Sequence, residues 1–542
     1  MTHTQDAENT TILQEGTPLS GRQIAQATGL VMAGFILSRL LGLVRDAVIA
    51  AVFGGGQLAD IYFTASRPPE TIFFVVAGGA LASAFIPTFV SYLAAERQDD
   101  AWRLASSVTN LISLILIVIS ALGAIFAKQV VATILAPSFD PQQTALTASV
   151  MRIMLLSPTI FGISGLLMGI LNAHQRFLMP ALAPALYNVG IIFGAVVLSP
   201  SMGIYGLAWG TVIGAALHLA IQLPGLFQLH PQYRLSIDFR SPGVWEVARL
   251  MGPRVLGLAI VQINFWVELV LASGMVEGSI SALRRAFFVM LLPQGVIAQS
   301  TAIAVFPTFS SQAAKGDREG LQHTLGQVLR AVLFLSIPAT VGLIVLRLPI
   351  VRLILERGEF DPIDSQATAW ALLFYALGLV SHSLVEVVTR AFYALHDTRT
   401  PVIVGGGAMI LNIILSLTLI QVMGVPGSLE RGPFAGLALA NTLATTFEGL
   451  TLLALIRPRV GGLEGQKMAS SVLKAGIASA AMGLLLWALM PLAGQLGLAV
   501  ETIGLITLGG AVFWGTAWLV GSEEARTFTN LLIRRLRPQR GG

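Results

Sequence analysis

Cysteine is missing from all 542 residues, which excludes a disulfide framework, a thiolate metal site and a cysteine nucleophile. Charge is scarce: 11% of the residues are Asp, Glu, Lys or Arg, against about 25% in a soluble domain. Lysine is reduced to Lys128, Lys315, Lys467 and Lys474, so nearly all of the 33 basic residues are arginine. No Walker loop, His-Glu-x-x-His, Gly-x-Ser-x-Gly or Asp-rich metal cluster occurs, so the chain does not read as an enzyme and no cofactor is expected. Without a domain that could hydrolyse ATP, work must come from a Na+ or H+ gradient, the membrane potential or a substrate's own gradient. The pI is near 9.7, yet the surplus is only +5 and is scattered over short loops. That pattern fits orientation in a membrane better than nucleic-acid binding.

What remains is apolar: 55% of residues are hydrophobic and the mean hydropathy is +0.77. Runs of about 20 apolar residues centre near 42, 76, 115, 160, 190, 215, 260, 297, 336, 380, 412, 445, 482 and 510. The reading is an all-α polytopic membrane protein with fourteen spans. An even count puts both termini on one side, and bases from Arg97 and Arg103 to Arg534, Arg535, Arg537 and Arg540 crowd the loops of that side. By the positive-inside rule it is cytoplasmic. Residues 1–29 lack the basic and short apolar regions of a cleaved signal and read as a mobile cytosolic tail.

The chain repeats itself. Phe139-Asp140-Pro141 returns 221 residues later as Phe360-Asp361-Pro362, and Ala173 with Pro180 returns as Ala394 with Pro401 at the same offset. Pro87-Thr88-Phe89 returns as Pro307-Thr308-Phe309, and Arg39-Leu40-Leu41-Gly42-Leu43 as Arg254-Val255-Leu256-Gly257-Leu258. Four matches in order argue for two parallel, pseudo-symmetric six-helix lobes, which usually hold a substrate between them. The expected organisation is a tail (1–29), an N-lobe (30–227), a cytoplasmic linker (228–245), a C-lobe (246–457), two C-terminal helices (458–521) and a basic cytosolic tail (522–542).

An ionised side chain at the centre of a membrane helix costs roughly 2.5–3.5 kcal/mol on insertion scales. The first span nevertheless carries Arg39, Arg45 and Asp46. On a helix Arg39 and Asp46 fall within about 20° of one stripe, about 10 Å apart along the axis, while Arg45 points about 120° away. This reads as a cationic wall for an anionic ligand, with an interhelical salt bridge as the plainer alternative. Arg254 is the repeat's counterpart of Arg39. Arg67 precedes Pro68-Pro69, which are expected to break or start a helix and leave backbone groups for a cavity; an interfacial role for Arg67 is the alternative. Arg284 and Arg285 open the eighth span, where they are either interfacial or close the same cavity. Arginine suits phosphate because its planar fork donates bidentately.

His382, Glu386 and Arg390 step by four along the tenth span and read as a self-satisfying ladder or a proton relay. Glu268, Asn412 and Asn441 are either oxygen ligands for a cation or ordinary interhelical hydrogen bonders.

Several segments together resemble the MviN/MurJ family of lipid II flippases, in the multidrug/oligosaccharidyl-lipid/polysaccharide exporter superfamily. They are Ser38-Arg39-Leu40-Leu41-Gly42 with Arg45-Asp46, Ala84-Phe85-Ile86-Pro87-Thr88-Phe89, and Leu171-Asn172-Ala173-His174-Gln175-Arg176-Phe177 with Pro180, Pro184 and Asn188. The second half adds Gln262-Ile263-Asn264, Glu356-Arg357-Gly358 before Phe360-Asp361, and Ala391-Phe392-Tyr393-Ala394 with Asp397-Thr398 and Thr400-Pro401. The resemblance implies a V-shaped pair of lobes around a cationic cavity, working by alternating access on undecaprenyl-pyrophosphate-linked peptidoglycan precursor. It puts the essential first-span arginines on Arg39 and Arg45, their acidic neighbour on Asp46 and a second-span base on Arg67. The last two spans would form a groove for a polyprenyl tail. Membrane lipids, and cell-wall synthesis enzymes meeting a monomer, are the partners considered; export of another polyprenyl-linked glycan or small molecule, or a non-transporting scaffold, are the rival functions. The chain departs from the family where Phe73, Phe74 and Gly78 replace an arginine pair and a glutamate, where Phe288 replaces an arginine, and where Ser416 stands four residues after Asn412 in place of an acid.

Overall fold

A computed structural model describes residues 21–76, 80–238, 241–492 and 497–536. Its main helices are α1 (Gly21–Phe53), α2 (Gln57–Val76), α3 (Ala80–Ala94), α4 (Gln98–Ile125), α5 (Pro141–Ala173), α6 (Leu178–Met202), α7 (Ile204–Phe227), α8 (Pro242–Ser273) and α9 (Ser279–Ala314). They continue as α10 (Arg318–Leu355), α11 (Pro362–Leu377), α12 (Leu379–Ala394), α13 (Arg399–Val422), α14 (Ala435–Ile456), α15 (Gly465–Leu489), α16 (Leu498–Leu519) and α17 (Glu523–Leu536). No strand occurs among the described residues. Ten of these helices are long and apolar enough to cross a membrane, or eleven with α11 and α12 taken as one span bent by 47°. The charge-bearing α1, α2 and α8 are not in that set, so by length and composition the described helices account for ten or eleven of the fourteen expected spans. Residues 1–20, Gly78, Arg240, Arg537 and Arg540 lie outside the described residues, as do the side chains of Arg254, Arg534 and Arg535.

Two compact units emerge. One comprises residues 1–45, 65–127 and 148–259; the other comprises 46–64, 128–147 and 260–542. In the first, Phe85 and Phe89 of α3 and Trp102, Leu104 and Val108 of α4 pack with Leu166 and Ile170 of α5 and Val244 and Val247 of α8. Lipid tails are as apolar as leucine, so close backbone approach must help hold such helices together. Between α6 and α7 it is glycine that permits this: a Cβ on Gly190 would lie 2.2 Å from Gly214 Cα, and one on Gly194 would lie 2.4 Å from Gly210 Cα. Gly190→Leu is therefore expected to force α6 and α7 apart at a cost of about 1–3 kcal/mol or more, read as a lowered melting temperature in detergent.

In the second unit Phe309, Leu325, Leu329, Val387, Phe392 and Ile456 bury one core. A second core packs α15 and α16 on α10 through Phe334, Met482, Leu486, Phe513 and Ala517. The repeated motifs take matching local roles. Asp140 Oδ1 accepts the N–H groups of Gln142 (2.7 Å) and Gln143 (2.8 Å) in the first turn of α5. Asp361 and Asp364 form a capping box at the start of α11. Both helices have proline as their first residue, where the missing N–H costs nothing. Pro68 and Pro69, expected to interrupt a helix, instead lie inside a continuous α2; neighbouring groups in a packed bundle can satisfy the carbonyls they free. Helix α8 begins at Pro242, within the segment expected to be linker.

Two ionic clasps tie loops of the second unit. Arg459 donates to Asp397, which also accepts from Thr400 Oγ1 at 2.6 Å. Arg330, buried in α10, donates to Glu464 and lies 3.7 Å from Glu524 at the start of α17. Hydrogen bonds from Thr400, then Arg459, hold the Asp397 carboxyl well below the usual carboxylate range. That from Arg330 first, with Lys467 and His323 adding, pulls Glu464 down to about 2. A depressed carboxyl stabilises the fold fully above its unfolded pKa, about 4.3 for glutamate, and loses that contribution as pH falls through the folded value. Amide exchange in 457–468 and α17 should accelerate between about pH 4.5 and pH 2 relative to the core, after correction for intrinsic rates.

Candidate functional site

In the first unit, α1 turns by about 100° per residue and so separates Arg39 from Arg45. Arg39 is half-buried. Arg45 Nη1 donates to Asn188 Oδ1 of α6 at 3.1 Å. Asn188 Nδ2 in turn donates to the carbonyls of Ser38 (3.2 Å) and Pro184 (3.1 Å), so one amide orients the arginine and staples α6 to α1. Arg67 on α2 lies 3.9 Å from Glu70, a long and partly exposed pair that contributes little by itself. The Phe73 ring meets Phe161 tilted by 47° with centroids 4.4 Å apart, and Phe161 meets Tyr187 and His218 edge-on.

The second unit begins at Asp46, which is buried. In it the end of α1 and the start of α2 are sewn to two distant segments. Asp60, 5% exposed, accepts the N–H groups of Gly278 at 2.7 Å and Ser281 at 2.8 Å, capping α9 from another helix. Ser281 Oγ donates to Gly55 O, and Gly55 N donates to Asp364 Oδ2 at 2.7 Å. Gly55 has no room for a side chain: a Cβ would lie 2.4 Å from the Asp364 carboxylate. Arg285, 2% exposed, donates through Nη2 to Gly54 O at 2.7 Å. Its guanidinium lies 4.8 Å from the Phe360 ring centroid and 5.4 Å from that of Phe63, and Arg284 lies 4.9 Å from Phe63. Asp46, Asp364 and Asp60 all act electrostatically on Arg285. Among the described residues Arg285 Nε and Nη1 find no hydrogen-bond partner. A closure with two orphaned charged donors is tight but costly to hold.

The candidate ion ligands each have partners of their own. Glu268 accepts from Tyr375 OH at 2.9 Å. Asn412 donates to Asn264 at 3.0 Å and accepts from Ser416 at 3.2 Å. Asn441 meets His382 at 3.1 Å, and Glu386 pairs with Arg390 at 3.2 Å. The expected ladder along α12 is thus only half formed, because His382 turns to α14. No group of three or more His, Asp or Glu side chains converges as metal ligands among the described residues. Asp60, Asp364, Ser281 and Asn188 were not singled out as site residues from sequence. The available signals were an acid in an apolar helix, a second acid in a capped first turn, and the Gly54-Gly55-Gly56 run.

At least ten helices long and apolar enough to cross a membrane define a multi-pass, all-helical membrane protein. The fold resembles an inward-facing multidrug resistance MATE family transporter of the MOP superfamily (TM-score 0.67, 13% identity, 79% of this chain and 96% of that one). A family model described as lipid II flippase MurJ matches residues 49–505, and the chain belongs to that family. It is 30% identical over 516 residues to the probable lipid II flippase MurJ of Vibrio cholerae, covering 91% of this chain and 95% of that one. Against the lipid II flippase MurJ of Burkholderia cenocepacia it is 27% identical over 511 residues (92% and 97% covered). The solved structure of lipid II flippase MurJ in an inward closed conformation aligns with a TM-score of 0.77 at 27% identity, over 93% of this chain and 99% of that one.

Proposed function

We propose that this protein moves lipid II, the undecaprenyl-pyrophosphate-linked peptidoglycan precursor, from the inner to the outer leaflet of the bacterial cytoplasmic membrane by alternating access. The observation that carries the reading is the match to a lipid II flippase structure over nearly the whole chain, in a protein that keeps Arg45 oriented by Asn188. Arg39, Arg45 and Arg67, with Arg254, hold the pyrophosphate and the sugar-peptide head. Arginine forks matched to phosphate oxygens supply charge-assisted hydrogen bonds of about 1.5–3 kcal/mol each. The cluster of Asp60, Ser281, Gly55, Asp364 and Arg285 is the outward gate. Its orphaned guanidinium donors raise the energy of the closed state, so a bound anion needs to contribute only a few kcal/mol to shift the population. Arg284 flanks the gate, and the polyprenyl tail stays in lipid along α15 and α16. Both termini face the cytoplasm, where the basic loops lie. Coupling draws on the membrane potential or a Na+ or H+ gradient, and the monomer is the working unit.

The test is outer-leaflet exposure of labelled lipid II in cells that depend on this chain alone. Exposure at wild-type rate is expected. Normal insertion with no exposure would overturn the assignment.

A further inference from the structure

The first unit contains an apolar groove of about 720 Å³ outside the arginine site. Its floor is α4 from Trp102 to Ile117, its walls are α5 and the end of α7, and its rim is the segment leading to α8. That segment is strapped across α4 by polar side chains set in an otherwise apolar helix. Asn110 Nδ2 donates to both Arg234 O and Ser236 O at 2.9 Å, and Tyr233 OH donates to Asn110 Oδ1. Ser106 accepts Arg234 N at 3.1 Å and Ser107 accepts Asp238 N at 3.2 Å. Five hydrogen bonds thus hold Leu235 out beside the groove, 89% exposed, with Tyr233 56% and Phe227 64% exposed. Such a row is costly in water and favourable against hydrocarbon.

From Trp102 to Ile117 the groove runs ~22 Å along the helix, somewhat more than the ~15 Å of one leaflet of a 30 Å hydrocarbon core. One end lies next to the acidic first turn of α4, with Asp99 and Asp100. The strap crosses α4 at Ser106 to Asn110, and the exposed Arg234 on it makes no ion pair among the described residues, leaving a cation beside the groove for an anionic headgroup. We propose that this groove is a binding site for one acyl chain of a glycerophospholipid drawn from the leaflet next to the strap, with its phosphate on Arg234.

The experiment uses the full chain in nanodiscs of phosphatidylethanolamine and phosphatidylglycerol containing a trace phospholipid with a diazirine in its acyl chain, with adducts mapped by peptide mass spectrometry. Adducts are expected to concentrate at least fivefold on 102–117 and 219–227 relative to α16. Ser113→Trp, which fills the groove, should lower them at least fivefold while labelling of α16 is unchanged. Ile117→Trp, at an exposed position, serves as a second plug should the first variant fail to insert. Arg234→Gln should reduce adducts two- to threefold. Equal labelling of α4 and α16, no response to either plug, or displacement of the phospholipid by an equimolar polyprenyl phosphate would overturn the proposal.

Discussion

Alanine at Arg39 or Arg45 will abolish growth of cells that rely on this chain, while the protein still inserts. In the proposed site, removing one charge-assisted contact to pyrophosphate costs about 1.5–3 kcal/mol, which is a ten- to hundredfold weakening. The two positions should differ in a second readout. Arg45 also orients Asn188 at 3.1 Å, so Arg45→Ala should lower the melting temperature more than Arg39→Ala. Arg45→Lys keeps the charge but loses the planar fork, and should bind lipid II at an intermediate level. Binding and thermal stability measured on the same purified variants separate the two effects. Wild-type affinity in Arg39→Ala would remove that residue from the anion site.

Arg285→Leu will open the closure. The substitution removes the donor to Gly54 O and leaves the carboxylates of Asp46, Asp60 and Asp364 without the cation they share. Breaking one side of a buried ionic set typically costs 3–5 kcal/mol. The cysteine-free background makes the readout clean. A single cysteine replacing Thr64, fully buried with an unpartnered hydroxyl, reports whether the closure parts. Its labelling by a membrane-impermeant thiol reagent should rise at least tenfold in Arg285→Leu and also in Asp60→Ala, which loses the caps to Gly278 and Ser281. Unchanged labelling in both variants would show that the cluster does not control access.

The matching helix starts were legible because their signals are local. Asp140-Pro141 and Asp361-Pro362 cap and start helices in both halves, and those roles depend on only three or four neighbouring residues. The first-span arginines were legible for an energetic reason, since a charge in an apolar run stands out on sequence alone. The closure was not. Asp60 acts on Gly278 and Ser281, 218 and 221 residues away, and no periodicity encodes such a pairing. Arg285 was noticed, but its partners were not. The paired prolines of α2 misled because local propensity gives way where a bundle satisfies the freed carbonyls. Glu268, Asn412 and Asn441 each bond a residue from another part of the chain, Tyr375, Asn264 and His382, pairings that no local pattern encodes.

The contact between Gly55 and Asp364 also sets a timetable for biosynthesis. The two residues are 309 apart, and Glu359 N, which donates to Ala51 O at 2.9 Å, is nearly as far away. At 5–20 residues per second the ribosome needs roughly 15–60 s to deliver that partner. Throughout this interval the end of α1 must wait with Ala51 O and Gly55 N lacking these partners. A nascent chain arrested before residue 359 should therefore expose Gly54–Gly56 to protease, and one arrested after α11 has left the ribosome should protect it.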